Sequence, residues 1–124
     1  MAKSNLTPGV IELDDSSLVD TKEHIRLDQI IPSEIIHDKT KLREFLEQRA
    51  FKKDKRAIIQ IAKLYETFVD PPDIINAYTW YNIAVAQGIK SAKSKRDEVL
   101  NSLNEKDLLD AQALSIKLFK KINN

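Results

Sequence analysis

Three features of the sequence predict an all-α fold, built from antiparallel helical hairpins stacked as a short α-α solenoid. Only 2 glycines and 4 prolines punctuate its 124 residues, against roughly 7% and 5% in average proteins. Sheet proteins with many tight turns need more glycine than that. Charged residues make up 31% and aromatics 6%, a mix suited to amphipathic helices. From Asp38 onward, apolar residues recur at helical spacing with short breaks between the runs.

The elements follow in order. Residues 1–37 read as an N-terminal arm, partly extended or disordered, and residues 38–124 as the helical domain. The arm opens without a helical period and contains the turn signal Thr7-Pro8-Gly9. An acidic, serine-bearing stretch runs from Glu12 to Asp20. Ile25 and Leu27 alternate with polar residues in a short extended pattern that Pro32 ends, and Ser33 to His37 fits a single helical turn. Asp38 is the predicted N-cap of a first helix over residues 39–52, with Leu42, Phe45, Leu46 and Ala50 on one face. Lys52-Lys53-Asp54 is a charged break. A second helix is expected from Lys55 to Val69. Its apolar face is Ala57-Ile58, Ile61-Ala62, Leu64-Tyr65 and Phe68, and its other face carries Arg56, Gln60, Lys63 and Thr67.

Asp70-Pro71-Pro72-Asp73 stops that helix and starts the next, because proline fits a first turn but not a helix interior. The third helix is expected over residues 72–87, ended by Gly88 in a left-handed cap. A fourth is expected over 90–102. Asn104 to Asp107 resembles a capping box with the shorter acid. The fifth helix, Glu105 to Ile122, has Leu108, Ala111, Leu114-Ser115, Leu118 and Ile122 on one face. Loops this short imply antiparallel neighbours.

The segment Ala57 to Ala92 is similar to a Sel-one-like repeat, a helical-hairpin family related to the tetratricopeptide repeats. The matching positions are Leu64, Tyr65, Asp73, Ala77, Trp80, Tyr81, Ala84, Ala86-Gln87-Gly88 and Ala92. Ala92 to Ile122 resembles the helix pair that closes such arrays, so the likeness covers residues 57–122. Two positions depart from the pattern: Ala62 stands where the family carries glycine, and the turn Thr67 to Asp70 has no glycine and is one residue shorter. Without the family name the pattern still makes physical sense. Ala77, Ala84 and Ala92 are small where helices cross closely, and Tyr65, Trp80 and Tyr81 fill the gaps between crossings. Tyr78, next to the turn, is the aromatic expected to face outward.

Function classes narrow by the same reading. The absence of cysteine excludes a disulfide scaffold, a thiolate zinc site and a thiol nucleophile. No apolar run is long enough to span a membrane, and Met1 to Val10 lacks a signal-peptide layout. The expectation is a cytoplasmic protein with no membrane association. His24 and His37 make no metal site, and the paired acids Asp14-Asp15, Asp97-Glu98 and Asp70/Asp73 suit arm composition, a solvated face and capping. Ser16-Ser17 has no base beside it, and there is no glycine-rich phosphate loop. No enzyme activity, metal or cofactor is therefore expected.

Net charge is +1, but residues 1–50 hold 7 basic and 10 acidic side chains, and residues 51–124 hold 13 and 9. The clusters Lys52-Lys53-Lys55-Arg56, Lys90-Lys93-Lys95-Arg96 and Lys117-Lys120-Lys121 sit beside acids near helix ends, so they read as solvated faces rather than a nucleic-acid footprint. The resemblance implies a non-catalytic protein–protein interaction module, an adaptor or scaffold. In related solenoids the first helix of each pair lines the concave face. Arg56, Gln60, Lys63 and Thr67, with Tyr78, are then the expected partner surface. The expected partner is another protein, in a hetero-complex or a homo-oligomer; the alternative is a small regulatory or immunity-type subunit dedicated to one partner. Repeat units bury their faces only against neighbours, so the N-terminal side of residues 39–69 is expected to be covered by residues 20–38 or by another protein.

Overall fold

The structure, a computed structural model, describes residues 31–123. The arm pattern and extended alternation expected before Ile31 lie outside the described residues. Among the described residues there are five α-helices and no strand. They are α1 (Lys39–Phe51), α2 (Lys55–Lys63), α3 (Ile74–Ala86), α4 (Ala92–Leu100) and α5 (Glu105–Ile122). None of them is long and apolar enough to cross a membrane.

The caps lie where short polar side chains stand before apolar periodicity. Asp38 accepts from the Lys41 N–H at 3.1 Å, Asp73 from the Asn76 N–H at 3.1 Å and Asn104 from the Asp107 N–H at 2.8 Å. Each satisfies a donor that the first helical turn leaves open. Before α1, a 3₁₀ turn at Ser33–Ile35 forms the expected single turn, and Ile31 and Ile36 beside it are buried in the core. Residues 31–36 thus supply part of the cover expected over α1.

α1 and α3 are built alike. Each is 13 residues long, and their capping aspartates stand 35 residues apart. Each ends in the same reverse hydrogen-bond pair. Lys53 N–H donates to the Ala50 carbonyl and Asp54 N–H to that of Arg49; Gly88 N–H donates to Val85 and Ile89 N–H to Ala84. That motif needs a left-handed residue after the last turn. It is Lys53 at φ 67° in one and Gly88 at φ 90° in the other.

Between them, α2 differs from its expected length. The α-helix stops at Lys63 and widens into a π turn at Leu64–Phe68. The Val69 N–H reaches back to Leu64, and the Tyr65 carbonyl, released from the ladder, accepts from Asp73 N–H at 2.9 Å. The glycine-free turn is thus anchored on the backbone that opens α3. The third and fourth helices are shorter than expected by a residue or two at each end, and α5 has its expected bounds.

α3 is the hub, packing against α2, α4 and α5, while α1 closes on α2. Ala77, Ala84 and Ala92 are fully buried, and Trp80, Tyr81, Ala62 and Leu64 are as well enclosed. Each large side chain in that set contributes about 1.5–3 kcal/mol by leaving water. The Tyr81 hydroxyl donates to Glu66 Oε1 at 2.6 Å. α5 comes close to α3 over small residues: Thr79 Oγ1 lies 3.3 Å from the Ala111 carbonyl, with Ser115 one turn further on. At the far end, the Phe51 ring stands 6.1 Å from that of Trp80, with Lys121 Nζ 4.5 Å above Phe51.

Candidate interaction surfaces

The polar stripe expected on the second helix is not a surface. Arg56 is 4% exposed and Gln60 2%, and every residue from Arg56 to Ala62 is buried. With α1 on one flank and α3 on the other, little of the short α2 is left for solvent. Tyr78 is also buried, at 7%. Lys63 is half-buried, and Thr67, the one exposed member, turns its hydroxyl to the Lys63 carbonyl at 2.8 Å. The five residues therefore form no accessible patch, which corrects the partner surface expected from sequence.

Arg56 belongs instead to an ionic clip at the α1–α2 turn. Asp54 caps α2 through the Arg56 N–H at 3.1 Å. Its carboxylate also accepts Arg56 Nε and Nη2, both at 3.0 Å, and Arg49 Nε at 2.9 Å. Burial pushes the Asp54 carboxyl up, but the hydrogen bonds from Arg56 and then Arg49 outweigh it and hold it below its ordinary value. This carboxylate is committed to structure: four donors leave no room for a substrate proton.

A polar cleft of about 340 Å³ lies where α1 and α3 begin, lined by Lys39, Thr40, Arg43, Tyr65, Asp73 and Asn76 among others. Burial raises the Tyr65 hydroxyl above its ordinary value, although Arg43 beside it acts the other way. Asp73 is already held by the Asn76 backbone and by Asn76 Nδ2 at 2.8 Å. No group of three or more His, Cys, Asp or Glu side chains capable of holding a metal occurs among the described residues.

The apolar candidate is elsewhere, on α5. The core side of this helix carries Ala111, Ser115 and Ile122, all buried, with Leu108, Leu114 and Leu118 half-buried. A second stripe faces outward: Leu109 and Ile116 are each 59% exposed and Phe119 37%, with exposed Gln112 between them. Beside it lies a cleft, again about 340 Å³, between α3, α4 and α5. Ile83, Val85, Ala86, Ile116 and Phe119 give it an apolar lining, to which Arg96 and Lys120 add two cations. Arg96 is oriented by Asn82 Oδ1 at 3.1 Å and Asp97 at 3.4 Å. Sequence reasoning missed this stripe. Its signal was present: Leu109, Ile116 and Phe119 fall at i, i+7 and i+10 on a helix whose core face was already complete.

Compared with protein-family models, with curated proteins and with solved structures, the chain shows no significant match.

Proposed function

We propose that this chain is a non-catalytic protein–protein interaction module, an adaptor built on a Sel-one-like helical repeat, and that the outward face of α5 with its adjoining cleft is its docking surface. The observation that carries this reading is the pair of aliphatic side chains, Leu109 and Ile116, each left 59% exposed, with Ile116 also lining an apolar cleft. Exposed aliphatic side chains aligned on one helix face favour being covered, and each of these part-exposed ones gains about 1 kcal/mol or more when fully buried. Two further features support the solenoid part of the reading. Residues 57–122 resemble Sel-one-like repeats, and α1 and α3 repeat their caps and exits at an interval of 35 residues. Among the described residues no helix covers the outer side of α5, where Leu109, Ile116 and Phe119 stay exposed, so that side is open to a partner.

The test compares three full-length baits: the native chain, Ile116→Asp in the stripe, and Thr67→Asp on the exposed polar turn. Proteins enriched by the native chain and by Thr67→Asp, but lost with Ile116→Asp, are the expected result. Equal enrichment by all three baits overturns the assignment of the surface. A single stoichiometric partner in the enriched set identifies a dedicated regulatory subunit rather than a general scaffold.

A further inference from the structure

We propose that the outward stripe of α5 pairs with α5 of a second copy of this chain, antiparallel about a twofold axis between Gln112 and Ala113. This rests on the reading of α5 as a docking face and names its occupant. A twofold interface must be complementary to itself, because one patch supplies both sides. The stripe Leu109, Gln112, Ile116 and Phe119 has the 3-4-3 spacing of a helix–helix seam. An axis between Gln112 and Ala113 sets Leu109 against Ile116 of the partner subunit, and Ile116 against Leu109 of the partner subunit.

Charge follows the same symmetry. α5 begins with Glu105, Asp107 and Asp110 and ends with Lys117, Lys120 and Lys121. Antiparallel copies bring unlike ends together, whereas parallel copies oppose like charges. In the stated register the exposed Glu105 meets Lys120 of the partner subunit, once on each side of the axis. Within one chain Glu105 and Lys120 stand about 22 Å apart along the helix, too far to pair. A single helix pair buries less than the roughly 1,200 Å² at which standard interfaces begin, so the dimer is weak.

The experiment is sedimentation equilibrium on the full chain at low salt, from about 5 to 500 μM, which brackets a dissociation constant of about 10–100 μM. Ile116→Asp is expected to weaken association at least tenfold, roughly, by placing a charge in the seam. Glu105→Lys and Lys120→Glu should each weaken it roughly three- to tenfold, since each breaks two symmetric pairs. The Glu105→Lys/Lys120→Glu double variant should recover native association, even though both changes oppose the helix dipole. Circular dichroism of every variant separates that recovery from any gain in helix content. A monomer at the highest concentration, a dimer indifferent to Ile116→Asp, or additive loss in the double variant overturns the proposal. If the chain stays monomeric while partner capture still depends on Ile116, the docking-face reading stands and another occupant, a different protein or residues 1–30 of the same chain, takes the stripe.

Discussion

α1 and α3 are two versions of one device. They share length, an aspartate cap and a left-handed exit, yet they differ in what surrounds them. α1 lies at one side of the fold and buries Leu42, Leu46 and Ala50. α3 has helices on three sides, and seven of its residues are buried, including Thr79. At matching positions, α1 carries Phe45, half-buried, where α3 carries the enclosed Trp80. The exits differ too: after Gly88 comes the buried Ile89, while after Lys53 comes Asp54 with its two arginines. Local geometry is therefore set by a short list of cap and exit residues, and location in the stack decides how costly each is to change.

The sharpest way to break the comparison is at the matched aromatics. Trp80→Ala should cost about 3–5 kcal/mol, and Phe45→Ala about 1–2 kcal/mol for a half-buried ring. Urea unfolding followed by circular dichroism measures both, and equal losses would show that the two helices are not differently loaded. Next in size is the exit clip. Asp54→Asn leaves Arg56 buried with a weaker acceptor and should cost about 1–3 kcal/mol at neutral pH. Because the folded-state carboxyl lies below its ordinary value of 3.8, its stabilisation is complete above that value and is lost as pH falls through the lower folded one. Stability of the native chain should therefore drop more steeply than that of Asp54→Asn as the pH is lowered below about 4.

The smaller predictions concern the left-handed residues, where the signs should be opposite. A Cβ at Gly88 would meet only Lys55 Nζ, at 3.9 Å, so Gly88→Ala is opposed by backbone conformation rather than by crowding. It should cost about 1–2 kcal/mol. Lys53 already bears that strain, and Lys53→Gly should gain about 0.5–1 kcal/mol after the added freedom of the unfolded chain is subtracted. A thermal melt of each variant checks the sign directly. Destabilisation by Lys53→Gly would mean that the lysine side chain holds the turn in a way its backbone does not require.

Much of this organisation was legible in the sequence, for a physical reason. Asp38, Asp73, Asn104 and Gly88 act through their own neighbouring backbone, so their effect needs no knowledge of tertiary packing. The bounds of α5 and the burial of Trp80, Tyr81, Ala77 and Ala84 followed from periodicity and side-chain size. Arg56 and Gln60 were misread because polarity at helical spacing suggests a wet face. That inference fails for a short helix flanked on both sides, with a carboxylate at its start to neutralise the arginine. The π turn was not legible, since its widened ladder depends on Asp73 reaching the Tyr65 carbonyl across the proline turn. The outer stripe of α5 was hidden by its own core face: once one face of a helix has been explained, leftover apolar residues look incidental.

The meeting of Phe51, Trp80 and Lys121 gives the molecule a built-in optical gauge. Trp80 is the sole tryptophan, only 1% exposed, and its ring neighbour Phe51 is the residue that the end of α5 covers. Native emission should accordingly be blue-shifted. Any event that lifts α5 from α1, whether a destabilising change or the arrival of a partner that levers the helix, would admit water beside the indole and move the emission to the red. The state of α5 can thus be followed in the unlabelled chain by fluorescence alone.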